Sequence, residues 1–133
     1  MSDVPAISAQ TRHAIATHVR TVDELEVLLL LGRDDQRYWS AAAAASSTGL
    51  PHPAVGRVLE VLASRGLLDV RLSGEVLYRF DPATIETKKA ADAILDAGSR
   101  QHAAVLRIIL ALPNRAITDF ADAFKVNRGR NRG

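Results

Sequence analysis

Four histidines are the first residues to ask for chemistry, because an imidazole can move a proton near neutrality or hold a metal. They do not converge. His13 and His18 are five residues apart, whereas two ligands on one helical face need a spacing of four. His52 stands between two prolines in a turn, and His102 lies near the start of a helix. None has a carboxylate at ligand spacing, so each reads as a solvated or capping residue. Asp34-Asp35 reads as a charged loop pair, and Asp119 and Asp122 flank Phe120 on what reads as the outer face of a helix. The chain has no cysteine. That removes disulfides, thiolate metal sites and a cysteine nucleophile, and it fits a reducing compartment. No phosphate-binding loop, dinucleotide fingerprint or serine-nucleophile elbow occurs. The expectation is a protein that is not an enzyme, with no metal and no cofactor.

Arginine is the other chemical resource, since its planar guanidinium matches phosphate oxygens in pairs. The chain of 133 residues carries 17 Lys and Arg against 15 Asp and Glu, for a formal charge of +2. Three of the arginines are Arg128, Arg130 and Arg132. Without them the remainder holds 14 basic against 15 acidic residues. The basicity therefore belongs to residues 126–133, which read as a disordered basic tail. It could touch phosphates or only keep the end soluble. Net charge alone argues little for nucleic acid. The argument has to come from where Arg57, Arg65, Arg71 and Arg79 are placed.

Composition bounds the scaffold that places them. The chain is 47% apolar, 24% charged and 5% aromatic. That is globular and favours helix over sheet. The length suits one small domain with appended helices. Asp3 and Pro5 precede any apolar run, which does not read as a signal peptide, and the longest apolar run, Val27 to Leu31, is too short to span a bilayer. A cytoplasmic protein without membrane contact is expected.

Along the chain, Ile7, Thr11, Ile15, Val19 and Val22 recur at near-helical spacing and predict a helix from Ser8 to Arg20. Thr21-Val-Asp-Glu24 reads as a capping box for a second helix to about Leu31, with Gly32 as its stop. Ser40 can cap a short alanine helix to Ser46 or Ser47. Gly49-Leu-Pro-His-Pro53 is a turn. Pro53 suits the first position of a helix running to Arg65, with Val55, Val58, Leu59 and Leu62 inward and Gly66 as its end. Leu67 to Leu72 and Val76 to Phe80 flank Ser73-Gly74-Glu75 and read as a hairpin. Asp81-Pro82 reads as the start of a helix to about Ala97, bending near Gly98. Arg100 to Leu112 follows, ended by Pro113. Asn114 can cap a last helix to about Lys125, with Ile117, Phe120, Ala121 and Phe124 inward.

Helix, helix, turn, helix, hairpin is the order of a winged helix-turn-helix. Ala45, Gly49, Val55 and Val58 have the spacing such a unit wants: a small residue where two helices touch, a glycine for the tight turn, and apolar positions inside the second helix. The fold class is thus mainly α with a small β-hairpin wing. Residues 1–20 form an N-terminal helix, 21–81 the winged domain, and 82–125 C-terminal helices for dimerisation or packing on the domain.

The stretches Ser40-Ala-Ala-Ala-Ala-Ala45, Gly49-Leu50, Val55-Gly-Arg-Val-Leu-Glu-Val-Leu62, Arg65-Gly-Leu-Leu68 and Arg71-Leu-Ser-Gly-Glu-Val-Leu-Tyr-Arg79 carry a likeness. Over roughly residues 20 to 126 the chain resembles bacterial winged-helix transcriptional regulators, MarR-like in the broad sense. The resemblance implies binding of double-stranded DNA by the helix from Pro53 to Arg65, wing contact with the backbone, and dimerisation through helices outside the winged core.

The residues themselves allow this reading. The outer face of the expected reading helix offers His52, Gly56, Arg57, Glu60, Ser64 and Arg65. The wing adds Arg71, Ser73 and Arg79. Arg57 is the foremost base or phosphate contact, with Arg71 and Arg79 on backbone phosphates. Asn, Gln and Lys are missing from that helix. The rival reading is therefore a winged-helix module that binds a protein partner without reading DNA sequence. Arg57 and Arg65 could also merely pair with Glu60 or Asp69.

Two apolar segments need cover. Leu25 to Leu31, apart from Glu26, and Val105 to Leu112 are apolar nearly all round. A homodimer would supply cover through Leu28, Leu29, Val105, Leu106, Ile108, Ile109 and Leu112. Alternatively, the C-terminal helices fold back over the winged domain within one chain. Tyr38 and Trp39 precede the alanine helix. Trp39 reads as a plug between helices, with the wall of a small-molecule effector pocket as the alternative.

Overall fold

A serine or threonine hydroxyl closes the start of four helices; Thr21 and Ser40 were legible as caps, whereas Thr84 was not. In the computed structural model, which describes residues 6–113, Ser8 accepts from the Thr11 amide to open α1 (Ala9–His18). Thr21 accepts from the Glu24 amide to open α2 (Val22–Arg33), and Ser40 from the Ala43 amide to open α3 (Ala41–Thr48). Each bond satisfies an amide that the helix itself leaves without a partner. Gly49 takes a left-handed φ of 78°, which closes α3 and turns the chain into α4 (His52–Ser64). Pro53 sits one residue inside α4, where its missing N–H is harmless.

Gly66, at φ 80°, ends that helix and leads into β1 (Leu68–Ser73). Gly74, at φ 74°, turns β1 into the antiparallel strand β2 (Glu75–Phe80). The register pairs Leu68 with Phe80, Val70 with Tyr78 and Leu72 with Val76. These six share one face. The base of that face is buried, whereas Leu72 at the tip is 79% exposed. Trp39 extends the sheet by one residue: its amide donates to the Tyr78 carbonyl at 2.7 Å, and its carbonyl accepts from the Tyr78 amide at 2.8 Å. The hairpin is thereby pinned to the residue preceding α3.

Two helices complete the described chain, α5 (Ile85–Arg100) and α6 (His102–Ala111). α5 starts later than Asp81-Pro82 suggests. The Asp81 and Ala83 amides donate to the Leu67 and Gly66 carbonyls, which holds the linker extended against the end of α4. Thr84 then caps the helix. Gly98 does not end α5, which runs on to Arg100. Its bare Cα faces α2, and a β-carbon there would lie 3.0 Å from Leu29. Gly32 likewise does not stop α2. It is a close-approach position, where a β-carbon would stand 2.7 Å from both methyls of Leu95. Both glycines let α2 and α5 touch.

The core centres on α2, which contacts α3, α4, α5, α6 and β2. Leu25, Val27, Leu28 and Leu31 are fully buried, packed with Val55, Leu59, Leu62, Leu67 and Ile94. Of the two ways to cover Leu25 to Leu31, the fold uses its own C-terminal helices. Leu28, Leu29, Val105 and Ile109 are buried inside one chain, while Leu106, Ile108 and Leu112 are only partly buried. Leu110, not singled out from the sequence, is 74% exposed. The expected last helix from Asn114 and the tail 126–133 lie outside the described residues. No helix among the described residues is long and apolar enough to cross a membrane.

Candidate nucleic-acid interface

The inner positions of α4 fix which of its residues face out. Val55, Val58, Leu59 and Leu62 are buried, so His52, Arg57, Glu60 and Ser64 emerge exposed on the other side. Arg57 has no ion pair among the described residues. Ser64 is exposed, but its hydroxyl donates back to the Val61 carbonyl at 2.7 Å.

Arg65 departs from expectation. It does not join the outer face, and it pairs with neither Glu60 nor Asp69. Its Nη1 donates to Glu24 Oε1 at 2.5 Å and to the His18 carbonyl at 2.7 Å. Glu24 is buried. Its Oε1 also accepts from the Arg20 amide at 2.8 Å, so the carboxylate reaches back one residue beyond Thr21. The sequence showed the capping box but not its second employment. Arg65 is a strut between α4, the end of α1 and the start of α2, and its guanidinium is held away from the exposed face of α4.

His18 stands beside this strut, half-buried, with Nδ1 buried and without a hydrogen-bond partner among the described residues. Burial first, then the Arg65 charge, then His13 hold its pKa below the ordinary 6.5. The folded chain therefore binds this proton less readily than the unfolded chain. Stability from this source is fully present above pH 6.5 and is lost as the pH falls through the lowered folded value. Thermal unfolding followed by circular dichroism should show Tm falling on the acid side of that pH. His18→Gln should flatten the fall, and an unchanged profile in the variant would disprove the assignment.

The wing arginines emerge from the hairpin face opposite the core. Asp69 pairs with Arg79 and Arg71 with Leu77, which puts Asp69, Arg71 and Arg79 on one side. Arg71 is exposed; Arg79 is half-buried and pairs with Asp81 at 3.2 Å. Ser73 is exposed at the end of β1. Tyr38 was not chosen as a site residue from the sequence. It lies against this face, where its hydroxyl donates to Asp69 at 2.5 Å. That bond, above all, raises the phenol pKa above its ordinary value. Trp39 is buried under the Arg37 guanidinium, 3.6 Å from its ring centroid, and acts as the plug rather than a pocket wall.

The histidines hold no metal constellation: no cluster of three or more metal-ligating side chains occurs among the described residues. His102 shares a hydrogen bond of 2.7 Å with Glu26 and so ties α6 to α2. An open cleft of about 650 Å³ lies beside α6, lined by Ile7, Arg12, Arg100, His102, Arg107 and Ile108 among others.

No protein-family model matches the chain, and no curated relative matches it. Solved structures do. The protein RV1404 from Mycobacterium tuberculosis is similar at a TM-score of 0.50 and 21% identity, over 88% of this chain and 83% of that one. Two others bear the MarR family name. A transcriptional regulator from Rhodococcus sp. RHA1 matches at TM-score 0.49 and 21% identity, over 90% and 81% of the two chains. A protein from Bacillus stearothermophilus matches at 0.49 and 13%, over 92% and 83%. At these identities the likeness is one of fold, and the order α3, Gly49 turn, α4 and wing is itself that of a winged helix.

Proposed function

We propose that the chain is a DNA-binding transcriptional regulator that acts as a homodimer. One observation carries the reading. The outer face of α4, with His52 and Arg57, is solvent-exposed, and the adjoining wing raises Arg71 and Arg79 on its non-core face. A helix presented in this way can enter a major groove while flanking arginines hold phosphates. The similarity to solved structures that include a transcriptional regulator supports it. The set of contacts offered is Arg57, His52 and Ser64 on α4 and Arg71, Ser73 and Arg79 on the wing. No catalytic role is assigned.

The dimer would use what the chain leaves exposed or only partly covered on α6 and at its end, namely Leu106, Ile108, Leu110 and Leu112. A second copy doubles the arginine set and so raises affinity and salt sensitivity together.

The test is an electrophoretic shift on the region upstream of the protein's own coding sequence at low and high salt. Arg57→Ala should weaken binding by about tenfold, as loss of one good base or phosphate contact does. The rival is a winged-helix module for a protein partner, favoured by the exposure of Val70, Leu72 and Val76 at the wing tip. No shift at low salt, with a protein captured in its place, would decide for that rival.

A further inference from the structure

Two guanidinium groups of the wing share one aromatic neighbour. Arg71 Cζ is 5.3 Å and Arg79 Cζ 5.1 Å from the centroid of Tyr38. Arg71 and Arg79 lie diagonally across the hairpin, near enough for long side chains to meet a common ring. The ring is fixed from both sides. Its hydroxyl is held by Asp69, and its backbone adjoins Trp39, which pairs with Tyr78 of β2.

This arrangement has a physical effect on the arginines. A free Arg side chain carries about 2 kcal/mol of rotamer entropy, part of which is lost when it grips a ligand. Contact with a ring attracts the cation and narrows its rotamers beforehand. A ring also does not occupy the N–H donors as a carboxylate would, so those of Arg71 remain for phosphate oxygens, while Arg79 gives one of its donors to Asp81 and keeps the others. Arg71 has no carboxylate partner among the described residues. Of the two acids on its face, Asp69 and Glu75, Asp69 is engaged by the phenol.

We propose that Tyr38 is a positioning residue for the wing: its ring holds Arg71 and Arg79 as a prearranged pair that grips the phosphates of duplex DNA. The proposal rests on the reading of the chain as a DNA-binding protein. Tyr38 precedes α3 and lies outside the helix-turn-helix and the wing, so neither element announces it.

The experiment measures the affinity of the full chain for a random-sequence duplex by fluorescence anisotropy across a salt series. Wild type, Tyr38→Phe and Tyr38→Ala are compared, with Tm recorded for each. Tyr38→Ala should weaken low-salt binding about five- to tenfold and reduce the log–log salt slope by about 1 to 2, with Tm nearly unchanged. Tyr38→Phe keeps the ring and should restore the slope, with affinity within about threefold of wild type. Weaker binding at an unchanged slope would mean a merely structural role and would overturn the proposal. So would wild-type behaviour in Tyr38→Ala, and in both cases DNA binding itself would stand. A wild-type chain that binds no duplex at low salt would take down both.

Discussion

Glu24→Ala should lower the stability of the fold by about 3 kcal/mol, or roughly 10 °C in Tm. The size follows from what the carboxylate holds. It is buried, it accepts from the Arg20 amide, and it neutralises Arg65. Removing it strands a cation that is itself only partly exposed, and it also orphans an amide at the start of α2. An exposed ion pair would be worth less than about 1 kcal/mol. Urea unfolding of Glu24→Ala, Arg65→Ala and the double variant separates these cases. The double variant should lose less than the two singles combined, because no charge is then left unpaired. Single losses below about 1 kcal/mol would show that the strut behaves like a surface pair.

Leu28→Ala should cost about 3 to 4 kcal/mol, since it opens a cavity at a fully buried position of α2 where several elements meet. The loss should be the same at every protein concentration, because the cover over Leu28 comes from its own chain. Leu110→Glu makes the opposite prediction. That side chain is 74% exposed, so its replacement should leave the unfolding of one chain almost unchanged while weakening the proposed homodimer. Sedimentation equilibrium and denaturant titration on both variants would read the two effects. A Leu28→Ala protein with full stability but altered association would return that residue to the interface between copies.

The contrast shows which parts of the molecule are written locally. Ser8, Thr21, Ser40, Gly49, Gly66 and Gly74 each act within a few residues of themselves, through a cap or a left-handed φ, and each was readable in sequence. Gly32 and Gly98 looked like breaks because a glycine carries no sign of whether it serves its own backbone or a neighbour's side chain. Only the crossing of α2 with α5 settles that. The apolar girth of α2 announced that cover was needed but not which copy supplies it.

The candidate site divides in the same way. Arg57 could be placed on an outer face from the period of Val55, Val58, Leu59 and Leu62. Arg65 could not, because its partner Glu24 is 41 residues away and no spacing rule links them. The contact of Tyr38 with the wing could not be foreseen for a similar reason. Its relation to Asp69 spans 31 residues and exists only once the hairpin folds beside α3.

The bond from Arg65 to the His18 carbonyl joins residues 47 apart, the last position of α1 and the residue that closes α4. Seen mechanically, α1 and α4 are riveted together through this bond. α1 also packs on α5 and α6. Any tilt imposed on α1 from that side must either carry α4 with it or break a charge-assisted bond. The tilt of α4 is therefore tied to how α1 packs on α5 and α6.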